Sequence, residues 1–318
     1  MKRLSSLLLL FTLVLTLVCC NGTPIEDEVV TTDAVVAEDF IYEHVIIVGI
    51  DGMGAFNTKA DTPNIDKIFA DGALTNVART ASPAATGPCW LSSFTGVQAQ
   101  DEMGLTANPG TSLTFDKRFA SALEKYPTIF TMTHDKYENA KIASLVSWDP
   151  LNEHCVNDEK YVYKKEFGGN DLSLKNAAVE YIVNEKPTLL FVHFESVDSA
   201  GHKIGYETED YLKQLSVVDG YFGEIYEAIE KADILDSTLI ILATDHGGTG
   251  TVHGASKEDA VLNITLAFKG KNIAPIKDFE ANLRDIAAIV AEALDLKPSA
   301  AWAKVSEPAR LPEGLFIK

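Results

Sequence analysis

Cysteine is scarce in this chain, and its placement limits the fold. Four cysteines occur among 318 residues, and two of them, Cys19 and Cys20, close the apolar run at the N-terminus. Only Cys89 and Cys155 remain for the rest of the chain, either as one disulfide bond or as two free buried thiols. One bridge at most excludes a small fold that depends on a disulfide framework.

Positive charge is also in short supply. Lysine and arginine total 27 against 46 aspartates and glutamates, so the formal net charge is -19. An acidic surface repels phosphate backbones, which excludes a nucleic acid as a bulk partner. A small anionic substrate is still allowed, because bound cations can reverse the sign of the charge locally.

Long apolar runs are confined to the N-terminus. Lys2 and Arg3 precede an apolar stretch over residues 4–18, which is short for a membrane span and typical of a signal peptide. Residues 17–20, Leu-Val-Cys-Cys, resemble a bacterial lipobox with Cys20 or Cys19 as the lipidated residue. The alternative is an ordinary secretory signal with incidental cysteines. We expect an exported bacterial protein that meets the membrane only through a lipid anchor.

These features divide the chain into three parts. We predict a signal peptide over residues 1–19, an acidic tether over 20–40 and a single domain over 41–318. The tether is rich in aspartate and glutamate and has no aromatic residue before Phe40. The 46% hydrophobic content is ample for a sizeable core in the third part.

Apolar, β-branched runs alternate with segments of helical periodicity beyond residue 41. The pattern predicts an α/β fold, a mostly parallel central sheet with helices on both faces. We expect irregular surface insertions at 97–118 and 149–170. The predicted strands are 43–50, 73–79, 141–148, 187–194, 239–244 and 261–268, and the predicted helices start at 62 and 88 or span 128–137, 173–185, 207–232 and 279–294.

Candidate metal ligands follow three of the predicted strands. Asp51 follows the first, Asp198 comes after 187–194, and Asp245 and His246 follow 239–244. Ligands in such folds bind beyond the carboxyl ends of the strands. Carboxylate and imidazole groups are ligands that Zn²⁺ accepts, although Asp-His neighbours also occur as structural hydrogen-bonded pairs.

The candidate ligands separate into two sets. Asp198 and His202 are four residues apart, and His253 completes a plausible Zn²⁺ shell with them. Asp51, Asp245 and His246 form a second set, which lacks a fourth ligand that an oxygen nucleophile could supply. Two metals about 4 Å apart suit in-line displacement at phosphorus. His193 and His44 are predicted to be core or edge residues, because they lie inside or at the start of strands.

Thr86 is the candidate nucleophile. It lies between a loop and a helix predicted from Pro88, where backbone N–H groups could hold a phosphoryl oxygen. The alternative is that Thr86 only caps that helix.

The order of these motifs resembles a known family. Residues 51–52 (Asp-Gly), 62–64 (Thr-Pro-Asn), 95–96 (Thr-Gly), 198–202 (Asp-x-x-Gly-His) and 245–247 (Asp-His-Gly), together with Thr86, resemble the type I phosphodiesterase/nucleotide pyrophosphatase branch of the alkaline phosphatase superfamily. Sulfatases of that superfamily place a modifiable cysteine within Cys-x-Pro-x-Arg at the position of Thr86. That pattern is absent here, which disfavours a sulfatase.

The resemblance implies an alkaline phosphatase-like catalytic domain over 41–318 and a metal-dependent hydrolase of small phosphate esters, with diesters or pyrophosphates preferred. Thr86 would attack phosphorus, and water would hydrolyse the resulting phospho-threonine. A phosphomonoesterase and a metal-binding lipoprotein without catalysis are the alternatives. By resemblance, one Zn²⁺ would be held by Asp51, Thr86, Asp245 and His246, and the other by Asp198, His202 and His253.

One departure from the family concerns the phosphate. Relatives often place asparagine three residues after the nucleophile to hold a phosphate oxygen, and Cys89 stands there in this chain.

Overall fold

The computed structural model describes residues 40–106, 115, 117–156 and 160–317. The predicted signal peptide and all of the predicted tether except Phe40 lie outside the described residues. The strands are β1 His44–Ile50, β2 Ala73–Arg79, β3 Ile142–Val146, β4 Val162–Glu166, β5 Leu189–Phe194, β6 Thr238–Ala243 and β7 Asn263–Lys269. The helices are α1 Pro63–Ile68, α2 Thr86–Thr95, α3 Ala99–Met103, α4 Lys117–Lys125, α5 Ile129–Lys136, α6 Pro150–His154, α7 Asp171–Glu185, α8 Ser196–Ile204, α9 Glu209–Lys231, α10 Asp259–Leu262 and α11 Asp285–Ala293.

A seven-stranded sheet in the order β2-β7-β6-β1-β5-β3-β4 organises the described residues. Neighbouring strands run parallel to each other from β6 through β1, β5 and β3 to β4. Strand β7 is antiparallel to both of its neighbours, β6 and β2. β1, β5 and β6 are buried along their whole length, as apolar strands covered on both faces should be. The predicted mostly parallel α/β fold is confirmed.

Helices cover both faces of this sheet. One core contains the apolar side chains of α2, α5 and α11, and the other contains those of α1, α7 and α9. α2 approaches β1 closely, since a Cβ at Gly49 would lie 2.5 Å from the indole of Trp90. The missing side chain at Gly49 thus lets α2 lie against β1, the strand that directly precedes Asp51. No helix in the described ranges is long and apolar enough to cross a membrane.

Several elements were not predicted from the sequence, and one predicted helix start was wrong. The interval 149–170 holds α6 and β4, and the interval 97–118 holds α3 and the start of α4. β4 is an edge strand of sequence Val-Tyr-Lys-Lys-Glu, and edge strands carry charged residues that hide the apolar signal. α2 begins at Thr86, two residues before the predicted start. Pro88 is tolerated there because the N–H groups of a first turn have no intrahelical partner.

Candidate metal centre

The candidate site lies at the carboxyl ends of β1, β5 and β6, three neighbouring strands at the middle of the sheet. Asp51 directly follows β1, and Asp245 and His246 follow β6 after one residue. α8 begins two residues after β5 and carries Asp198 and His202. The topology therefore brings together candidate ligands that are far apart in the sequence.

Asp51, Asp245 and His246 form the first group, with one ligand atom from each lying within 4.8 Å of the others. Thr86 adjoins this group, since its Oγ1 lies 3.4 Å from Asp51 Oδ1 and 3.4 Å from His246 Nε2. Thr86 is the first residue of α2, and Ala85 occupies the capping position. The hydroxyl therefore faces the candidate ligands instead of capping its own helix.

Asp198, His202 and His253 form the second group, again within 4.8 Å of one another. His202 Nε2 lies 3.3 Å from Asp198 Oδ2 and 3.1 Å from His253 Nε2. The rings of His246 and His253 stack with centroids 3.8 Å apart, so the two groups adjoin. The structure thus brings together all seven residues predicted from the sequence, and their role as ligands stays a prediction.

The three imidazoles present the same nitrogen to the site. In each ring Nδ1 is within hydrogen-bond distance of a backbone carbonyl, which leaves Nε2 facing the other candidate ligands. Metal-binding histidines commonly donate their second nitrogen to a carbonyl in this way, and the bond fixes both tautomer and ring orientation. The pairs are His202 with Thr251 at 2.9 Å, His253 with Ala84 at 2.8 Å and His246 with Gly247 at 3.0 Å.

The chemistry of the donors fits divalent cations. Asp51, Asp198 and Asp245 are buried beside one another, and their ion-pair partners among the described residues are histidines. Asp245 Oδ1 accepts hydrogen bonds from the backbone amides of Gly52 and His246, whereas the buried Oδ2, 3.3 Å from His246 Nε2, accepts no hydrogen bond in the described part of the chain. Crowded buried carboxylates with a free oxygen are stabilised by bound cations.

Burial is the main cause of the pKa shifts in the first group and at the neighbouring His253. It raises the pKa of Asp245 to about 7, with a further contribution from Asp198. Burial and the charge of Asp245 also raise the pKa of Asp51. Burial lowers the pKa of His246, and it lowers the pKa of His253 to about 4, so both imidazoles are neutral at physiological pH and able to bind a metal.

Two functional candidates, His193 and Tyr206, were missed from the sequence. His193 was predicted to be a core or edge residue, and it is fully buried in β5, but its Nε2 lies 3.0 Å from Asp51 Oδ2. The Tyr206 hydroxyl donates to Asp198 Oδ1. Neither residue belongs to a recognisable sequence motif, because each contacts a carboxylate that lies outside its own element. His44 is buried at the start of β1, as predicted, with Nδ1 2.8 Å from Pro187 O.

Cys89 and Cys155 are both buried and both free, so they do not form the bridge that the sequence allowed. Cys89 Sγ lies 3.2 Å from Thr80 Oγ1 and 3.5 Å from the carbonyl oxygen of Pro83. This thiol packs into the core and presents no exposed donor to a phosphate.

Comparisons with known proteins agree with the family resemblance that the sequence motifs indicated. A family model described as type I phosphodiesterase/nucleotide pyrophosphatase matches residues 45–313. Ectonucleotide pyrophosphatase/phosphodiesterase family member 3 of Rattus norvegicus is 26% identical over 227 residues, which are 66% of this chain and 25% of that protein. A bis(5'-adenosyl)-triphosphatase of Bos taurus is 20% identical over 243 residues, 69% of this chain and 49% of that protein. The chain thus spans a quarter to a half of the length of these relatives.

Solved structures support the fold. Murine ectonucleotide pyrophosphatase/phosphodiesterase 5, in an inactive form in complex with AMP, is similar with a TM-score of 0.68 and 14% identity, over 81% of this chain and 96% of that chain. A 2-O GAG sulfatase is similar with a TM-score of 0.61 and 12% identity, over 81% and 72%. Since the family model covers most of its length, this chain belongs to the type I phosphodiesterase/nucleotide pyrophosphatase family, a family of hydrolases.

Proposed function

We propose that this protein hydrolyses phosphodiester or pyrophosphate bonds in small phosphate esters, with Thr86 as the nucleophile. The observation that carries the proposal is the position of the Thr86 hydroxyl. Its oxygen lies 3.4 Å from Asp51 Oδ1 and from His246 Nε2, at the N-terminus of the ten-residue helix α2. A nucleophile beside a cluster of candidate metal ligands, at a helix end that attracts anions, suits attack on phosphorus.

Two divalent metal ions, Zn²⁺ in our proposal, complete the site. Asp51, Asp245, His246 and Thr86 would hold one of them, and the second group, Asp198, His202 and His253, would hold the other. When bound, such a pair supplies electrostatic stabilisation of the attacking and leaving oxygens. The oxygen and nitrogen donors of both groups suit zinc.

The chain's own residues account for the remaining steps. The hydroxyl of Thr86 gives up its proton to solvent, and its oxygen forms a bond to phosphorus as the bond from phosphorus to the leaving oxygen breaks. The leaving oxygen takes up a proton from solvent, and the product on the chain is a phospho-threonine. Water then attacks the same phosphorus, and the bond to Thr86 Oγ1 breaks. Pro88 has no N–H, so the backbone amides of Thr86 and Gly87 are the donors that the first residues of α2 offer to a phosphoryl oxygen.

The charges around the site favour a diester over a monoester. The charged groups that act most strongly on the buried Asp51, Asp198 and Asp245 are further carboxylates and histidines. A phosphodiester carries one negative charge, whereas a monoester carries up to two and calls for extra cationic recognition. A phosphomonoesterase with the same nucleophile is the second candidate.

A substrate panel tests the proposal. We expect the purified protein to hydrolyse a bis-aryl phosphate faster than the matching mono-aryl phosphate. A chelator should stop both reactions, and added zinc should restore them. Faster turnover of the monoester would identify a phosphomonoesterase. Two bound zinc ions without turnover of either substrate would identify a metal-binding protein that has lost catalysis.

Metal binding to the second group should depend on pH. The hydrogen bond to Asp198 raises the pKa of His202 to about 9, so this imidazole carries a proton at neutral pH in the metal-free protein. A metal ion must displace that proton, and zinc affinity should therefore rise about tenfold per pH unit between about pH 7 and about pH 9. Calorimetric titration in two buffers of different ionisation enthalpy measures the released proton. Affinity that does not change over this range would contradict the prediction.

Export and lipid anchoring extend the proposal to the N-terminus. We infer that residues 1–19 direct export and that Cys20, or Cys19, carries the lipid that holds the protein at the membrane. The relatives include proteins whose names describe them as ectonucleotide pyrophosphatases. Replacing both cysteines with serine should release the protein from the membrane fraction of a bacterial host. Unchanged membrane retention of that double variant would argue against a lipoprotein.

A further inference from the structure

The carboxylates of Asp51 and Asp198 have the same arrangement of their two oxygens. Asp198 Oδ2 lies 3.3 Å from His202 Nε2, and its Oδ1 accepts a hydrogen bond from the Tyr206 hydroxyl. Asp51 Oδ1 lies 3.4 Å from Thr86 Oγ1, and its Oδ2 lies 3.0 Å from His193 Nε2. In each group, therefore, one oxygen faces the candidate ligands and the other is held by a residue outside them.

We propose that Tyr206 and His193 are positioning residues, each of which orients one carboxylate for its metal ion. Tyr206 serves the second group through Asp198, and His193 serves the first group through Asp51. The inference rests on the proposed two-metal centre and adds two residues to it that the sequence motifs do not contain.

Close packing fixes the position of the Tyr206 ring. A Cβ at Gly201 would lie 2.4 Å from the ring, and one at Gly248 would lie 2.3 Å from it. The ring therefore fits between α8 and the loop after β6 only because both positions are glycine. The backbone amide of Tyr206 donates to the carbonyl of Gly250 at 2.8 Å, which fixes the main chain as well. The hydroxyl is thus presented to Asp198 by a rigid frame.

The backbone of Gly52 confines Asp198 as well. A Cβ at Gly52 would lie 2.5 Å from Asp198 Oδ1, so the carboxylate packs directly against the backbone next to Asp51. Burial and the nearby carboxylates raise the pKa of Tyr206, and the hydroxyl therefore stays protonated. Because a carboxylate can only accept, the bond has one direction, from Tyr206 to Asp198.

His193 is held just as firmly. It is fully buried, and the ring of Trp90 meets it edge-on at 5.5 Å with an interplanar angle of 90°. Its Nδ1 is buried and has no hydrogen-bond partner in the described part of the chain, whereas Nε2 faces Asp51. A metal ligand must be ionised, and an ionised carboxylate can only accept, so Nε2 would carry the proton in the metal-bound site. A buried imidazole with one bonded nitrogen is consistent with the single task of holding Asp51.

Loss of such a bond should weaken one metal site selectively. Hydrogen bonds to a ligating side chain fix its orientation, and their removal typically costs about 10- to 100-fold in metal affinity. Tyr206→Phe keeps the ring in its packed place and removes only the hydroxyl. We expect this variant to bind the second metal about 10- to 100-fold more weakly and the first metal almost as the unchanged protein does.

The measurement is competition for zinc between the purified full-length protein and a chromogenic chelator, without substrate. The zinc-binding step that is weakened in Tyr206→Phe is assigned to the first or the second group by comparison with His202→Ala. That variant removes a candidate ligand of the second group. Tyr126→Phe is the matched control, because the ring of Tyr126 is buried and its hydroxyl donates to the backbone carbonyl of Glu102 at 3.2 Å, not to a candidate ligand or to the backbone beside one. It should lower the melting temperature without changing the ratio of the two zinc affinities.

A second pair of variants tests His193. His193→Leu removes the Nε2 donor and puts an apolar side chain of similar size in its place. His193→Gln retains an N–H group near the position of the original Nε2. We expect His193→Leu to weaken the first metal selectively and His193→Gln to recover most of the loss. If His193→Leu fails to fold, the Tyr206→Phe measurement still decides for the second group.

The outcomes separate the inference from the proposed function. Zinc binding by Tyr206→Phe that equals binding by the unchanged protein would overturn the inference. So would equal weakening of both sites, which would indicate a general loosening of the fold. If the unchanged protein bound no zinc at all, the two-metal proposal itself would fail, and that result is visible before any variant is made.

Discussion

Thr86→Ala should abolish turnover while the protein still binds two metal ions. The variant removes the side-chain oxygen that we propose attacks phosphorus first, and the covalent route is lost with it. Loss of a nucleophile typically lowers kcat by roughly 10⁴-fold or more. Asp51, Asp245 and His246 would remain as the proposed ligands of the first metal, so zinc content measured by mass spectrometry should stay near two per chain.

Two further variants make the Thr86 result specific. Thr86→Ser retains an oxygen nucleophile and should keep measurable turnover, together with a phosphorylated serine that can be trapped by rapid acid quench. Thr95→Ala is the matched control, because Thr95 is a buried threonine at the other end of α2 whose hydroxyl donates to the Leu91 carbonyl at 2.7 Å. Thr95→Ala should lower the melting temperature and leave kcat almost unchanged. Turnover by Thr86→Ala close to that of the unchanged protein would refute the proposed nucleophile.

His253→Ala should release one metal ion more readily than the other. His253 belongs to the second group, where its Nε2 lies 3.1 Å from His202 Nε2. Only Asp198 and His202 would remain there, and loss of a direct ligand should weaken that site by roughly 100-fold or more, beyond the usual cost of losing an outer hydrogen bond. The stepwise release of zinc to a chelator measures both sites in one experiment.

The control for His253 is a histidine away from the site. His134 lies in α5 and stacks on Tyr161 at 4.0 Å, so His134→Ala should leave both zinc affinities unchanged. His246→Ala should give the opposite pattern from His253→Ala, with the first site weakened more. Equal loss of both metals in His253→Ala would contradict the division into two groups across the loop 247–252.

The sequence predicted the parts of the site that follow central strands. β1, β5 and β6 are buried on both faces, so their apolar runs are unbroken and their ends are easy to locate. Asp51 and Asp245 stand close behind such ends. Parallel strands in one sheet point their carboxyl ends to the same edge, which is why the sequence alone groups the candidate ligands.

What the sequence did not reveal depends on contacts between distant elements. His193 has the apolar surroundings of any buried strand residue, and only the parallel pairing of β1 with β5 brings it to Asp51. Tyr206 was overlooked because its role requires two glycines on separate segments, Gly201 and Gly248, to leave room for its ring. β4 was missed since an edge strand rich in lysine has no apolar run to detect.

The close contact between Gly49 and Trp90 has a consequence for how the chain tolerates substitution. A side chain at position 49 would meet the indole at 2.5 Å and the ring of Phe191 at 3.2 Å, so α2 would have to move outward. Thr86 lies at the start of that helix, and a displacement of about 1 Å at a reacting group can cost on the order of 100-fold in rate. In a survey of the activity of all single substitutions, changes at position 49 would therefore lower activity as much as changes at a residue that contacts the substrate, although Gly49 is not proposed to contact it.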